Sequence, residues 1–214
     1  MHRVSIGIDL AWCRKRISAL VSLDDTLIVR GWSIVVGDEE ILSFAESFAA
    51  ESKIVCIDAP LLFPENPVAF RSTETEMRQR GIRILPVQQK FFIERFGGLR
   101  GLELRKSFEK LGYLFSISEA RKQVIEVYPY ASWKNLLGEV PRYKNVCLKR
   151  RIAALDVLYR ALLDAGIRGI EDFDISGENA ADILDAVMCA WTGIRHGCRK
   201  TTVVGDEARG FIVY

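Results

Sequence analysis

Apolar residues in this chain come in short runs separated by polar turns, and their spacing changes from strand-like to helix-like along its length. Val4 to Leu10 reads as one buried strand, Ile17 to Leu23 as a second and Leu27 to Val36 as a third, with Asp24-Asp25 as the turn between the last two. This pattern predicts a three-stranded β-meander. Asp38-Glu39-Glu40 then supplies an acidic helix start, and Ile41, Phe44, Ala45 and Phe48 fall on one face, so residues 38–51 are expected to form an amphipathic helix. A right-handed crossover delivers Ile54 to Asp58, a short apolar strand stopped by Pro60.

The middle third reads differently. Asn66-Pro67 is expected to start a helix that Gly81 ends, and a second helix runs from about Gly101 to Gly112; Arg83 to Leu99, between them, has no clear periodicity. Residues 65–118 are therefore expected to be a helical insertion after the fourth strand. Gln123 to Tyr128 returns to strand character and is ended by Pro129. Lys149 to Ala165 carries Ile152, Leu155, Leu158 and Leu162 at helical spacing, Asn179 to His196 is the next helix, and Gly210 to Tyr214 is expected to close the chain as a strand after a turn at Gly205-Asp206. The expectation is a single α/β domain over residues 1–214: a mixed five-stranded sheet, three strands in a meander and the rest parallel, flanked by helices.

Against this background, acids in apolar surroundings stand out. Asp9 ends the first strand and Asp58 the fourth; Glu126 sits within Val124-Ile125-Glu126-Val127; Asp182 and Asp185 lie on the last helix, which carries no other charge from Ala181 to Ile194. An ionised carboxylate buried without a partner costs several kcal/mol, so their repetition points to pairing with a hard divalent cation. Asp9 and Asp58 also suit turns that follow strands, Glu126 would face solvent by simple alternation, and Asp182 suits the first turn of a helix. Asp185 has no such role. Three residues apart, Asp182 and Asp185 occupy adjacent turns on the side opposite Ile183, Leu184, Val187, Met188 and Trp191.

Composition narrows the possibilities. With 214 residues, 49% hydrophobic and 27% charged, the chain is ordinary globular protein, and its net charge of +2 announces neither nucleic acid nor membrane. No apolar run approaches the ~18 residues of a membrane helix, and strand character begins at once after Met1, which predicts a cytoplasmic protein without a secretory leader. Five dispersed cysteines suggest reduced thiols and no disulfide-linked partner; with only two histidines, the sequence argues against a zinc site and against Ser/Cys-His catalysis. Near-neutrality conceals segregation. Residues 71–110 hold ten Lys or Arg against five Glu, and residues 142–160 six against one Asp, making Arg71, Arg78, Lys144, Lys149, Arg150 and Arg151 candidates to meet phosphates. Phe91, Phe92 and Phe96, interleaved with Lys90 and Arg95, suit base stacking or, more simply, the core of the insertion.

The order of elements, with Asp in the first strand, Asp in the fourth and Asp-x-x-Asp on the last helix, resembles the ribonuclease H-like fold. More closely, Gly7-Ile8-Asp9-Leu10-Ala11, Ile57-Asp58-Ala59-Pro60-Leu61, Glu126-Val127-Tyr128-Pro129, Trp133-Lys134-Asn135-Leu136, Asp182-Ile183-Leu184-Asp185-Ala186 and Val204-Gly205-Asp206 resemble the DUF429 family, described as predicted ribonuclease H-like nucleases. The resemblance implies a nuclease in which Asp9, Asp58, Glu126 and Asp185 act in catalysis. Asp9, Asp58, Asp182 and Asp185 would hold two Mg²⁺ or Mn²⁺ ions ~4 Å apart. Nucleic acid is the implied partner; oligomeric state is left open, a homodimer included. Two other classes stand beside it. One is a phosphotransferase related to the sugar kinases and actin, against which the chain's length and its lack of a convincing phosphate loop argue; the other is a non-catalytic nucleic-acid-binding module.

Overall fold

Residues 2–64 and 70–214 are described in the computed structural model. The meander forms as expected: β1 (Arg3–Asp9) pairs antiparallel with β2 (Ser18–Asp24), and β2 antiparallel with β3 (Val29–Val35). Helix α1 (Asp38–Glu46) leads to β4 (Ser52–Ile57), which lies parallel to β1. The strand after the insertion, β6 (Lys122–Glu126), lies parallel to β4. Among the described residues the sheet has six strands rather than the expected five, in the order β3-β2-β1-β4-β6-β5; the addition is β5 (Leu114–Phe115), too short to register as a run and paired parallel with β6.

The segment between β4 and β6 carries α2 (Ser72–Gln79), α3 (Gln89–Phe96) and α4 (Arg100–Lys110). The expected helix start at Asn66-Pro67 lies outside the described residues. α3 falls in the stretch that lacked periodicity. Its apolar residues point several ways, Phe92 into the core and Phe91 and Ile93 outward at 42% and 49% exposure, so no single apolar stripe marks it. After β6, Pro129 ends the strand but also starts α5 (Pro129–Leu137), because proline at a first helical position forfeits no intrahelical hydrogen bond. Helices α6 (Leu148–Asp164) and α7 (Ala180–Gly197) match expectation within a residue or so. The closing strand, β8 (Gly210–Val213), forms a separate hairpin with β7 (Val203–Asp206); Gly205-Asp206 therefore belongs to a strand and not to the turn.

Helices cover both faces of the sheet. On one face Ile6, Ile8, Val55, Ile57 and Val124 pack with Ile41, Leu104 and Phe108 of α1 and α4. On the other, Ala19, Val21 and Leu23 pack with Leu155, Leu158 and Leu162 of α6 and Leu184, Val187 and Met188 of α7. Two glycines set how closely α7 approaches. A Cβ on Gly7 would lie 2.0 Å from the Ala186 carbonyl oxygen, and one on Gly193 would lie 2.2 Å from Ser5 Oγ. Helix α7 thus rests against the backbone of β1, which brings its first two turns beside the carboxyl end of that strand. Among the described residues, no helix is long and apolar enough to cross a membrane.

Candidate functional site

The parallel strands β1 and β4 end together. The Asp58 amide donates to the Ile8 carbonyl at 2.9 Å, so the ladder continues one residue past β4 and sets Asp58 beside Asp9. Residues of β1 and β4 that share their parity, Gly7 and Cys56, meet α7, so both carboxylates project to that face, toward Asp182 and Asp185. The mutual influence is visible in their acidity. Burial raises Asp9 well above the ordinary carboxylate range; Lys144 opposes the shift, while Asp185, Asp58 and Asp182 add to it. Burial likewise pushes Asp58 up to about 7, with Lys144 opposing and Asp185 and Glu126 adding. Asp182 is raised by burial and by Asp185.

Asp185 is the most firmly held of the set. Trp133 Nε1, on α5, donates to its Oδ1 at 2.8 Å, and Tyr143 Oη donates toward both oxygens at 3.0 and 3.1 Å. Lys144 Nζ lies 2.8 Å from Asp185 Oδ2 and 3.9 Å from Asp9 Oδ2. Although burial opposes it, those two carboxylates hold the lysine above its ordinary value. One ammonium therefore faces four carboxylates. Trp133 and Tyr143 were not singled out from the sequence as partners of Asp185; the available signal was that a buried indole N–H or phenol requires an acceptor.

Glu126 does not join the cluster. It ends β6 opposite Ile57 and shares the parity of Val124, so its side chain leaves the sheet on the face opposite to Asp9 and Asp58. There it accepts the Leu61 amide at 2.8 Å and two hydrogen bonds from Arg71, one of them at 3.0 Å from Nη1. Arg71 also donates to Glu74 and to the Leu62 carbonyl. The expectation that Arg71 meets phosphate is thereby corrected: its side chain is buried and committed to two acids. The catalytic expectation for Glu126 is corrected too, since its carboxylate is tied up in anchoring the 58–62 loop.

The other basic candidates divide. Lys144 enters the acid cluster while staying half exposed. Arg151 donates to the carbonyls of Gly177 and Glu178, bracing the approach to α7, and Arg78 is exposed on α2 with its guanidinium 4.7 Å from the Phe70 ring centre. Neither lines the cleft over the acids. That cleft, about 580 Å³, is bounded by Asp58, Lys144 and Asp185 at its base, with Tyr128, Tyr130, Tyr143, Arg83 and Arg142 around it. All five cysteines are unpaired.

Whether these residues suit a divalent cation is a question of donors and charge. The donors are hard carboxylate oxygens from three separate elements, and their negative charge exceeds what Lys144 neutralises, so the donor chemistry fits. As they stand, no three His, Cys, Asp or Glu side chains among the described residues are spaced to hold one ion, and the Lys144 ammonium sits where the cluster's charge converges.

Fold and site together define a mixed α/β protein with an acidic cluster at the carboxyl edge of its parallel strands. The chain belongs to the family described as "Protein of unknown function (DUF429)", whose model matches residues 7–209 and so spans all four clustered aspartates. No curated protein and no solved structure matches the chain.

Proposed function

We propose that the protein is a metal-dependent phosphodiester hydrolase built on a ribonuclease H-like sheet, with nucleic acid as its substrate. The strand order β3-β2-β1-β4-β6, antiparallel in its first three members and parallel thereafter, supports the fold reading. The observation that carries the function is the convergence of Asp9, Asp58, Asp182 and Asp185 from three elements into one partly dehydrated cluster with a single ammonium among them. A solvent-facing or purely structural set of acids gains nothing from such crowding.

Asp9 would be the central ligand of bound Mg²⁺ or Mn²⁺, flanked by Asp58 and Asp185, with Asp182 outside them. Such ions acidify bound water and neutralise charge on the leaving oxygen. The chain's own residues do the positioning. Trp133 and Tyr143 fix the rotamer of Asp185, and the Arg71–Glu126 pair anchors the loop that begins at Asp58 through the Leu61 amide. With a cation held by the carboxylates, Lys144, on a long and half-exposed side chain, would be free to present its charge to the substrate phosphate. Arg83 and Arg142 draw the phosphodiester into the cleft.

The test is incubation of labelled single-stranded, duplex, hybrid and junction substrates with Mg²⁺ or Mn²⁺, beside Asp9→Asn. Wild type is expected to cleave at least one of them and the variant none. Absence of cleavage across the panel, or equal cleavage by the variant, would overturn the reading.

A further inference from the structure

The cleft above the acids has walls as well as a floor, and they differ in kind. Tyr128, Pro129 and Tyr130 come from the end of β6 and the start of α5, while Val140, Pro141 and Tyr143 come from the segment between α5 and α6. Tyr128 and Tyr130 are each half-buried, with ring centres 5.9 Å apart and planes 47° from one another, so they present two differently tilted aromatic surfaces. The Tyr128 hydroxyl is spent on the Arg83 carbonyl at 2.7 Å, which pins its ring at the cleft and ties the 81–83 segment to it; Lys134 Nζ pins the same segment through the Gly81 carbonyl at 2.8 Å. At the rim stand Arg83 and Arg142, both exposed, and among the described residues neither takes part in an ion pair.

We propose that this cleft takes one unpaired nucleotide, its base against Tyr130 and Tyr128 and its phosphates at Arg83 and Arg142, so that the protein acts on single strands or frayed ends rather than on continuous duplex. The inference rests on the hydrolase reading for its reaction but on the cleft walls for its substrate. Its volume of about 580 Å³ is that of a small-molecule pocket and not of a groove that tracks a helix. Within a duplex the ring faces of the bases are covered by their neighbours, so an aromatic wall is useful only to a base that has left the stack. Guanidinium groups at the rim match phosphate geometry with paired N–H donors. The acids Asp58 and Asp185 line the cleft with them, so a phosphate beside these two would need a counter-charge such as a bound cation.

Binding separates this proposal from the reading it rests on. Fluorescence anisotropy with Ca²⁺ present compares a fluorescein-labelled oligothymidylate 12-mer with a 12-base-pair duplex, using wild type, Tyr130→Ala, Tyr130→Phe and Arg142→Ala. The single strand is expected to bind at least tenfold tighter than the duplex. Tyr130→Ala weakens single-strand binding at least fivefold and Tyr130→Phe retains it. Arg142 is exposed, so its alanine variant folds whatever happens at Tyr130; it is expected to weaken binding and to reduce its salt dependence. Equal or tighter duplex binding, or single-strand binding unaffected by both Tyr130→Ala and Arg142→Ala, overturns the proposal. Cleavage without strand preference and insensitive to Tyr130→Ala also overturns it while leaving the hydrolase intact. Tyr130-dependent, strand-selective binding with no cleavage in Mn²⁺ supports the cleft assignment and removes the hydrolase.

Discussion

Replacing Asp58 by asparagine should make the metal-free protein more stable at neutral pH. In the folded chain burial pushes the Asp58 carboxyl up to about 7 from its ordinary 3.8, so the native state holds this proton more tightly than the unfolded chain does. Stability contributed by the protonated group is complete below the unfolded value and is lost as pH rises through the window from about 4 to 7. A shift of about three pKa units sets a ceiling near 4 kcal/mol. Because the neighbouring charges of Lys144, Asp185 and Glu126 also act on Asp58, its own share is about 1–2 kcal/mol. For a domain of this size that is roughly 2–8 °C in melting temperature. His196 acts in the opposite sense: burial lowers it, so its contribution grows as pH rises from the lowered folded value up to its ordinary value. The informative quantity is therefore the difference between variant and wild type. Thermal melts in EDTA at pH 5, 6, 7 and 8 should show Asp58→Asn gaining on wild type with each step. A difference that is independent of pH, or that favours wild type more at pH 8 than at pH 5, refutes the reasoning.

Three further outcomes follow from the packing. Gly7→Ala sets a methyl group against the Ala186 carbonyl and the Ala190 amide of α7, and chemical denaturation should show a loss of about 3 kcal/mol or more. Arg71→Met strands Glu74 and Glu126 in the core and should cost about 3–5 kcal/mol in urea melts, part of which the Arg71→Met/Glu126→Gln double variant recovers. Tyr143→Phe removes the phenol donor from Asp185 and should cost about 2 kcal/mol in the same assay, with the Trp133 hydrogen bond retained.

The meander, α1, α6 and α7 were legible because each buries one face or one whole run, which leaves a regular imprint on the sequence. Helix α3 left none, since Phe91, Phe92, Ile93 and Phe96 surround it with apolar groups on several sides. Helix α5 is masked in the sequence because Pro129 serves both as a strand terminator and as a helix start. In the site, Asp9, Asp58, Asp182 and Asp185 could be grouped because strand ends and helix turns have fixed spacing. Glu126 was misgrouped for want of register: pairing opposite Ile57 puts it on the other face, where Arg71 awaits it. The position of Lys144 was not legible at all, because the segment between α5 and α6 has no periodicity to say which way its side chains turn.

The central claim, that four aspartates form a cation site, is tested most directly by isothermal titration of metal-free protein with Mn²⁺ at pH 7.5. The account predicts saturable binding, with proton release from the cluster, that is abolished in Asp9→Asn while the variant stays folded. Undetectable binding to wild type, or undiminished binding to Asp9→Asn, would contradict it.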